Sequence, residues 1–176
     1  MNSLPANNPD WLVKKIIKMG GTISFYDFMN FVLNDPINGY YGSGKAELGV
    51  QGDFVTSPSL SDDFAFLAGK QIEDWLIQFK NSFSSNQKLA VIEFGAGDGS
   101  FMSGLIKYFL ENNNNFLEGV SFVIIEPNEG MVEKQKNKLE EFLNFGVDIL
   151  WKGLNEVEEN NINGIVLANE VLDALP

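Results

Sequence analysis

The stretch VIEFGAGDGSFM, Val91–Met102, places a short apolar run directly before three alternating glycines and the beginning of a helical pattern. The apolar run predicts a buried strand, and the residues after Ser100 bury one helical face made of Phe101, Leu105, Ile106 and Phe109. Glycine permits a sharp backbone turn and lets a ligand approach the main chain, where the free amides of the helix N-terminus face it. The stretch therefore predicts a strand, turn and helix that together bind a small molecule.

The spacing of the glycines narrows the choice of ligand. Gly95, Gly97 and Gly99 follow the order Gly-x-Gly-x-Gly, whereas a dinucleotide fingerprint would need its third glycine at position 100, where this chain has Ser. A lone glycine-rich turn is often an ordinary connection. Here the next predicted strand ends at Glu126, and a carboxylate at that position can accept both ribose hydroxyls. The combination of the glycine turn, the helix after it and the acid at the end of the next strand favours a nucleoside-containing cofactor.

Strand and helix patterns alternate on both sides of the glycine turn. Strands are predicted at Leu89–Phe94, Ser121–Glu126, Val147–Trp151 and Gly164–Asn169, and helices at Ser100–Leu110 and Glu129–Asn144. The runs VIEF, FVIIE and IVLAN are nearly continuous in apolar residues, which is typical of a parallel sheet covered by helices on both faces. The predicted fold class is α/β, with a Rossmann-like, doubly wound, mostly parallel sheet.

A helical region of residues 1–80 is predicted to precede this domain of residues 81–176. Its helices would be Trp11–Met19, Phe25–Leu33 with an N-cap at Ser24 and one buried aromatic face, and a third from Ser57 or Ser59 to about Phe79 with an apolar stripe that includes Leu67 and Trp75. Residues 34–58 show neither helical nor strand periodicity, but their aromatic residues argue against disorder. A stretch this long in a compact domain is usually functional, so we expect an ordered functional loop.

Composition excludes several kinds of chemistry. The 176 residues include 24 acidic and 12 basic side chains, a net charge of -12, and neither Cys nor His. Thiolate and imidazole catalysis and zinc sites of the Cys/His type are therefore excluded, and no metal site is predicted. An acidic surface repels phosphate, so we expect no nucleic-acid partner. No apolar run approaches the roughly 20 residues that span a bilayer, and the N-terminal segment lacks signal or transit character, so we expect no membrane insertion and a cytoplasmic location.

With Glu93 in the strand before the glycines, the turn resembles motif I of the S-adenosylmethionine-dependent methyltransferases. The ligand S-adenosyl-L-methionine carries a sulfonium, an ammonium and a carboxylate, so backbone amides and a nearby acidic side chain can hold its methionine end. Glu93 or Asp98 would serve the cationic groups, and Glu126 the ribose. The resemblance thus implies S-adenosyl-L-methionine as the cofactor.

Three separated stretches, GYYGSGKAELGVQGDFVTSP, VIEFGAGDGS and ANEVLDALP, together resemble the MidA family of methyltransferases, whose mitochondrial members assist respiratory complex I assembly. The resemblance runs over essentially the whole chain and is most specific at residues 52–58 and 169–176. The family usually has Glu where this chain has Ser59, and commonly Pro where it has Ala96. The resemblance implies methyl transfer to a protein, with arginine of a respiratory complex I type subunit as the substrate.

Further site residues follow from these motifs. The loop comparison implies that three side chains bind near the methionine end of the cofactor: Asp53, Thr56 and Ser57. Three polar residues follow the fourth strand at the carboxyl edge of the sheet, where ligands bind in open α/β sheets, and are the candidate catalytic residues: Asn169, Glu170 and Asp173. One of these carboxylates would orient a cationic guanidinium or accept its proton. Alignment of the reactants supplies most of the catalysis, and no covalent enzyme nucleophile is needed.

The four predicted strands are fewer than a complete methyltransferase sheet contains, and family members are much longer. We therefore expect an N-terminal fragment, or a protein completed by another chain. In the strand order 3-2-1-4-5, the apolar segment IVLAN would form an unprotected edge that invites self-association.

Two other functions use the same sequence pattern. An NAD-dependent oxidoreductase would use the same strand, turn and helix, but the glycine spacing disfavours it. A non-catalytic assembly or interaction module could retain the cofactor-binding fold, and the short length and the open sheet edge favour that alternative. Titration with adenosyl ligands and with NAD separates the first alternative from a methyltransferase, and turnover by a longer protein tests the second.

Overall fold

The computed structural model describes residues 9–49, 51–57, 61–82, 88–157 and 163–176, apart from the side chains of residues 114 and 173. The helices in these ranges are α1 (Asp10–Lys18), α2 (Phe25–Asn34), α3 (Asp63–Ser82), α4 (Ser100–Asn112) and α5 (Glu129–Asn144). The strands are β1 (Leu89–Phe94), β2 (Val120–Ile125), β3 (Ile149–Lys152) and β4 (Gly164–Ala168). Short 3-10 helices occupy Asn114–Gly119, Leu154–Glu156 and Leu172–Ala174.

The four strands form one parallel sheet in the order β3-β2-β1-β4, as the sequence predicts for a doubly wound fold. Helices α4 and α5 supply the crossovers from β1 to β2 and from β2 to β3. The chain then passes back across the sheet, so that β4 lies on the other side of β1. The order of the strands reverses between β1 and β4, and ligands of open α/β sheets bind outside the carboxyl ends of the strands at such a reversal.

One face of the sheet carries most of the core. Alternate residues of each strand point to opposite faces, and Leu89, Val91, Phe122 and Ile124 pack in one cluster with buried residues of α3, α4 and α5. On the opposite face a smaller cluster contains Ile92, Val123 and Ile125, and the side chain packed on it from outside the strands is Val157. In the described part of the chain, the helices of the core therefore cover one face.

Small residues bring α3 close to α4. A Cβ added at Gly69 would lie 2.6 Å from the Tyr108 ring, and one at Gly104 would lie 2.5 Å from Ala65 Cβ. The predicted apolar stripe of α3 is therefore partly wrong, because the close contact buries Ala65, Gly69, Ile72 and Leu76 and leaves Leu67 75% exposed and Trp75 45% exposed. Its predicted start is also wrong: α3 begins at Asp63, so Ser57 is not its cap, and Ser59 lies outside the described residues.

The two N-terminal helices form as predicted, but the predicted buried aromatic face does not. Ser24 caps α2, where its hydroxyl accepts a hydrogen bond from the Asp27 amide at 3.0 Å. Phe25 nevertheless remains 75% exposed, and α2 has no fully buried residue. The two helices are joined by Lys15, which pairs with Asp35 at 2.9 Å. None of the described helices combines the length and the apolar character needed to span a bilayer.

The described residues of the 34–58 loop form successive turns that contact one another. The Tyr40 ring makes edge contacts with Tyr41 and Phe54, at centroid distances of 4.9 and 5.7 Å. The backbone pairs Leu48 with Phe54, and the Asp53 amide donates to Glu47 O at 2.7 Å. The aromatic residues that argued against disorder thus pack on one another inside the loop.

In the described part of the chain, β4 pairs with one neighbour, β1. Its Val166 is 59% exposed. The apolar edge expected from the sequence is therefore present, and self-association through it stays a prediction.

Candidate functional site

The glycine turn connects β1 to α4 through three left-handed residues. Gly95, Gly97 and Gly99 have φ values of 59°, 54° and 87°. A side chain makes this conformation unfavourable by about 1–2 kcal/mol per residue, which explains why glycine occupies each of the three positions. The turn therefore leads directly into the N-terminus of α4, the position where such turns hold ligands.

The strand register brings the predicted site residues to one edge. Phe94 lies opposite Ile125 of β2 and opposite Ala168 of β4, so Gly95 is level with Glu126 on one side and with Asn169 on the other. The Gly95 amide donates to Ile125 O at 3.0 Å, which continues this pairing past the end of β1. The glycine turn, the strand-terminal acid and the residues after β4 therefore meet at the carboxyl edge of the sheet.

Glu93 is a buried acid with spare hydrogen-bonding capacity. It is 3% exposed, and its Oε2 makes no hydrogen bond in the described structure. Burial, and secondarily the negative charge of Asp98, raises the pKa of Glu93 to about 8. A buried carboxyl with an unpaired oxygen is costly unless a ligand satisfies it. A cationic ligand group would both pair with this oxygen and stabilise its ionised form.

Both carboxylate oxygens of Asp98 already accept hydrogen bonds, from Ser100 and from Lys138 on α5. Its Oδ1 accepts from the Ser100 amide at 3.0 Å, and its Oδ2 accepts from the Ser100 hydroxyl at 2.9 Å and from Lys138 Nζ at 3.1 Å. Burial opposes ionisation of Asp98, but these contacts outweigh it and the net effect lowers its pKa. Of the two acids considered for a cationic group, Glu93 therefore has the free oxygen, and Asp98 anchors the start of α4.

Glu126 directly follows β2, in a partly buried position. Its Oε1 accepts from the Asn128 amide at 3.0 Å, and its Oε2 accepts from Gln135 Nε2 at 3.1 Å. Burial raises the pKa of Glu126, while these hydrogen bonds act in the opposite direction. Each carboxylate oxygen has capacity for a second hydrogen bond, so the pair can still accept two hydroxyls of a ribose.

The segment after β4 closes on the glycine turn. A Cβ added at Gly95 would lie 3.2 Å from Val171 Cγ2. Glu170 has a φ of 52°, a left-handed conformation that is uncommon for a residue with a side chain. Asn169 is half-buried and Glu170 is exposed, whereas the side chain of Asp173 lies outside the described residues. Left-handed residues of this kind often cluster at functional sites, which fits the predicted role of Glu170.

The 34–58 loop also reaches the glycine turn. A Cβ added at Gly97 would lie 2.7 Å from Leu48 Cδ1, and one at Gly44 would lie 2.8 Å from Gly130 O in α5. Lys134 Nζ donates to Ala46 O, which ties the loop to the same helix. The loop therefore packs on the turn and on α5, and its function stays a prediction.

The three loop residues predicted to bind the cofactor differ in environment. Asp53 is exposed and its Oδ2 accepts a hydrogen bond from the Tyr40 hydroxyl at 2.6 Å. Thr56 is half-buried and Ser57 is exposed. Their contacts with a cofactor stay a prediction. A cavity of about 440 Å³ lies between the loop and α5, lined by Glu47, Leu48, Gly52, Asp98, Lys134 and Lys138 among others, and none of the three predicted loop residues lines it.

Sequence reasoning missed two residues that organise this edge. Gln135 on α5 is fully buried and bonds to both Gly97 O and Glu126, while Trp151 of β3 donates to Gln135. A polar residue at a core-facing helical position was the signal that could have identified Gln135. The partners on two other elements become apparent only in the folded structure.

Comparisons with known proteins identify the family to which the chain is similar. A family profile described as S-adenosyl-L-methionine-dependent methyltransferase matches residues 71–176. The protein arginine methyltransferase NDUFAF7, mitochondrial, of Danio rerio is 31% identical over 94% of this chain and 42% of its own length. The corresponding homolog of Caenorhabditis elegans is 25% identical over 94% of this chain and 41% of its own length.

A solved structure from Burkholderia thailandensis, bound to S-adenosyl-homocysteine, superposes with a TM-score of 0.69 at 28% identity. The match covers 99% of this chain and 46% of that protein. This chain thus spans less than half the length of these relatives. The Rossmann-like methyltransferase fold predicted from the sequence is confirmed.

The expected cytoplasmic location is wrong by the same comparison. The curated relatives from Danio rerio and Caenorhabditis elegans are both named as mitochondrial proteins. The expectation depended on the absence of a recognisable leader at the start of the sequence, and that absence does not identify a compartment.

The glycine turn and all four parallel strands lie within the residues that the family profile matches. The family profile covers more than half of the chain. The resemblance to the MidA methyltransferases is therefore confirmed, and the chain belongs to a family of S-adenosyl-L-methionine-dependent methyltransferases.

Proposed function

We propose that this chain binds S-adenosyl-L-methionine at the carboxyl edge of β1, β2 and β4, and that the protein methylates an arginine side chain of another protein. The observation that carries the proposal is the Oε2 of Glu93, which is buried two residues before the glycine turn and has no hydrogen-bond partner among the described residues. The names of the two curated relatives support arginine as the acceptor.

The residues at this edge fit the cofactor of the family. Glu93 offers a buried oxygen to a cationic group, and Glu126 offers two partly occupied oxygens to the ribose hydroxyls. The three glycines of the turn carry no side chains that would keep a ligand away from their main-chain groups. When bound, S-adenosyl-L-methionine supplies a methyl group on a positively charged sulfur that is a good leaving group. The chain's own task is to hold and orient the two reactants.

The residues after β4 suit a cationic acceptor. An arginine side chain is a planar cation with several N–H groups, which carboxylates recognise through paired hydrogen bonds. The attacking nitrogen loses a proton as its bond to the methyl carbon forms, and a neighbouring carboxylate is suited to orient the guanidinium or to accept that proton. Glu170 is exposed beside the glycine turn and is our choice for this role, with Asn169 and Asp173 as further candidates.

The charge of the chain also fits a basic protein partner. The net charge is -12, and complementary charge speeds encounter and disfavours acidic partners. A subunit of respiratory complex I type, implied by the family resemblance, stays a prediction for the identity of that partner.

Methyl transfer to peptides tests the proposal. The protein would be incubated with methyl-labelled S-adenosyl-L-methionine and either an arginine-containing peptide or the same peptide with lysine at that position. We expect label on the arginine peptide, and at least a tenfold lower rate for Glu170→Gln with unchanged affinity for S-adenosyl-L-homocysteine. The exposed Glu140→Gln on α5 is the matched control and should retain the rate. Equal labelling of both peptides, or none, contradicts the arginine assignment.

A further inference from the structure

The side chain of Gln135 makes contacts with three separate elements of the site. It is 0% exposed although it is polar. Its Nε2 donates to Gly97 O at 2.9 Å and to Glu126 Oε2 at 3.1 Å, and its Oε1 accepts from Trp151 Nε1 at 3.1 Å. One amide therefore joins the glycine turn, the end of β2 and β3.

The chemistry of these partners fixes the orientation of the amide. An indole N–H only donates, so the oxygen of Gln135 must face Trp151. The amino group then faces a carbonyl and a carboxylate, both of which only accept, and uses its two hydrogens on them. A rotation of the amide by 180° would place its oxygen against Glu126 and its amino group against the indole N–H. Trp151 thus keeps the donor side of Gln135 directed at Glu126.

We propose that Gln135, oriented by Trp151, is the positioning residue that fixes the Glu126 carboxylate for the ribose hydroxyls of the cofactor and couples it to the glycine turn. The inference rests on the proposed function, because it assumes that an adenosyl ligand occupies this edge. Asn128 holds Glu126 from its own loop, where its backbone amide donates to Oε1, and the hydrogen bond from Gln135 holds Oε2. Without Gln135 this oxygen loses its described partner, and the carboxylate can rotate away from the ribose.

The proposal predicts an effect on one part of the ligand. In the unaltered protein, removal of both ribose hydroxyls from S-adenosyl-L-homocysteine should weaken binding about 10- to 100-fold, as expected when hydrogen bonds to a charged group are lost. In Gln135→Met the same removal should cost about threefold or less, because Glu126 no longer holds the hydroxyls in place. A residue needed only for packing would weaken both ligands by the same factor and leave their ratio unchanged.

The experiment measures the affinities of S-adenosyl-L-homocysteine and its 2′,3′-dideoxy analogue by calorimetry for each variant. The loss of affinity on removal of the two hydroxyls is called the hydroxyl penalty. Trp151→Phe removes the indole donor while keeping an aromatic ring, so its hydroxyl penalty should lie between those of the unaltered protein and of Gln135→Met. If Gln135→Met does not fold, Trp151→Phe alone decides the question. Gln78→Met, the same substitution at an exposed site on α3, is the matched control and should keep the full penalty.

Two results would overturn the inference in distinguishable ways. If the unaltered protein does not bind S-adenosyl-L-homocysteine, the proposed function fails, and the inference fails with it. If the unaltered protein binds and shows the full hydroxyl penalty, but the variants at Gln135 and Trp151 show the same penalty, the positioning role alone is refuted.

Discussion

Glu93 and Asp98 are two acids five residues apart on the same strand and turn, and their surroundings shift their pKa values in opposite directions. Burial and then the charge of Asp98 raise the pKa of Glu93 to about 8, while Ser100 and Lys138 outweigh burial and lower the pKa of Asp98. One acid is therefore mostly neutral at pH 7 and the other is ionised. This difference leaves Glu93 able to ionise when a cation binds beside it.

The first prediction concerns proton release on ligand binding. A ligand ammonium group beside Glu93 favours its ionised form, so binding of S-adenosyl-L-homocysteine at pH 7 should release about one proton per ligand. Calorimetry in buffers of different ionisation enthalpy measures that number. The analogue 5′-methylthioadenosine, which lacks the amino-acid part, should release none. Glu93→Gln should abolish the release, and an equal release from both proteins would contradict the assignment of Glu93 to the ammonium group.

The second prediction concerns stability without ligand. Below the ordinary pKa of 4.5, Glu93 is protonated in both the folded and the unfolded chain, so it adds no pH dependence. Between 4.5 and about 8 the unfolded chain loses this proton and the folded chain keeps it, so the free energy of unfolding should fall as pH rises. The decrease should level off above about pH 8.

Glu93→Gln should remove this part of the pH dependence and stabilise the protein at pH 9 by on the order of 4 kcal/mol relative to the unaltered chain. Urea unfolding at several pH values measures the effect. Glu140→Gln, at an exposed position on α5, is the control and should follow the unaltered protein. A Glu93→Gln protein that is less stable at pH 9 would show that the buried carboxyl is satisfied by a partner in the free protein.

The third prediction concerns the left-handed glycines. Gly97→Ala places a side chain at a φ of 54°, within 2.7 Å of the flexible end of Leu48. We expect a loss of about 1–2 kcal/mol in the free energy of unfolding and at least a tenfold loss of affinity for S-adenosyl-L-homocysteine. Gly119→Ala, where an added Cβ meets nothing within 4 Å, is the matched control for both quantities. Ligand affinity unchanged by Gly97→Ala would argue against close contact of the ligand with the turn.

The fourth prediction concerns the loop. Asp53→Ala should leave the fold intact and weaken the binding of S-adenosyl-L-methionine, because the loop covers the glycine turn through Leu48. Tyr40→Phe removes the hydroxyl that donates to Asp53 and keeps the aromatic packing, so it should cause a smaller loss in the same direction. Calorimetric titration measures both, with the exposed Asp74→Ala on α3 as control. An Asp53→Ala protein with unaltered affinity would remove Asp53 from the binding site.

The strands of the sheet were predicted well because each one is marked by a short run of apolar residues next to one another in the sequence. The apolar runs gave β1 with its observed bounds, and the glycine spacing located the turn whose three left-handed residues the structure shows. The buried face of α3 was predicted less well. The close approach of α4 buries Ala65 and Gly69, and the pattern of apolar residues within α3 does not indicate where α4 will pack. Gln135 was missed for the same reason: its three partners lie at positions 97, 126 and 151 and meet only in the folded chain.

The measurement that tests the central claim most directly is calorimetric titration of the folded protein with S-adenosyl-L-methionine, S-adenosyl-L-homocysteine and NAD. The account predicts that both adenosyl ligands bind with one site per chain and that NAD does not. Binding of NAD alone, or of none of the three, would contradict the assignment of the glycine turn, Glu93 and Glu126 to a methyltransferase cofactor site.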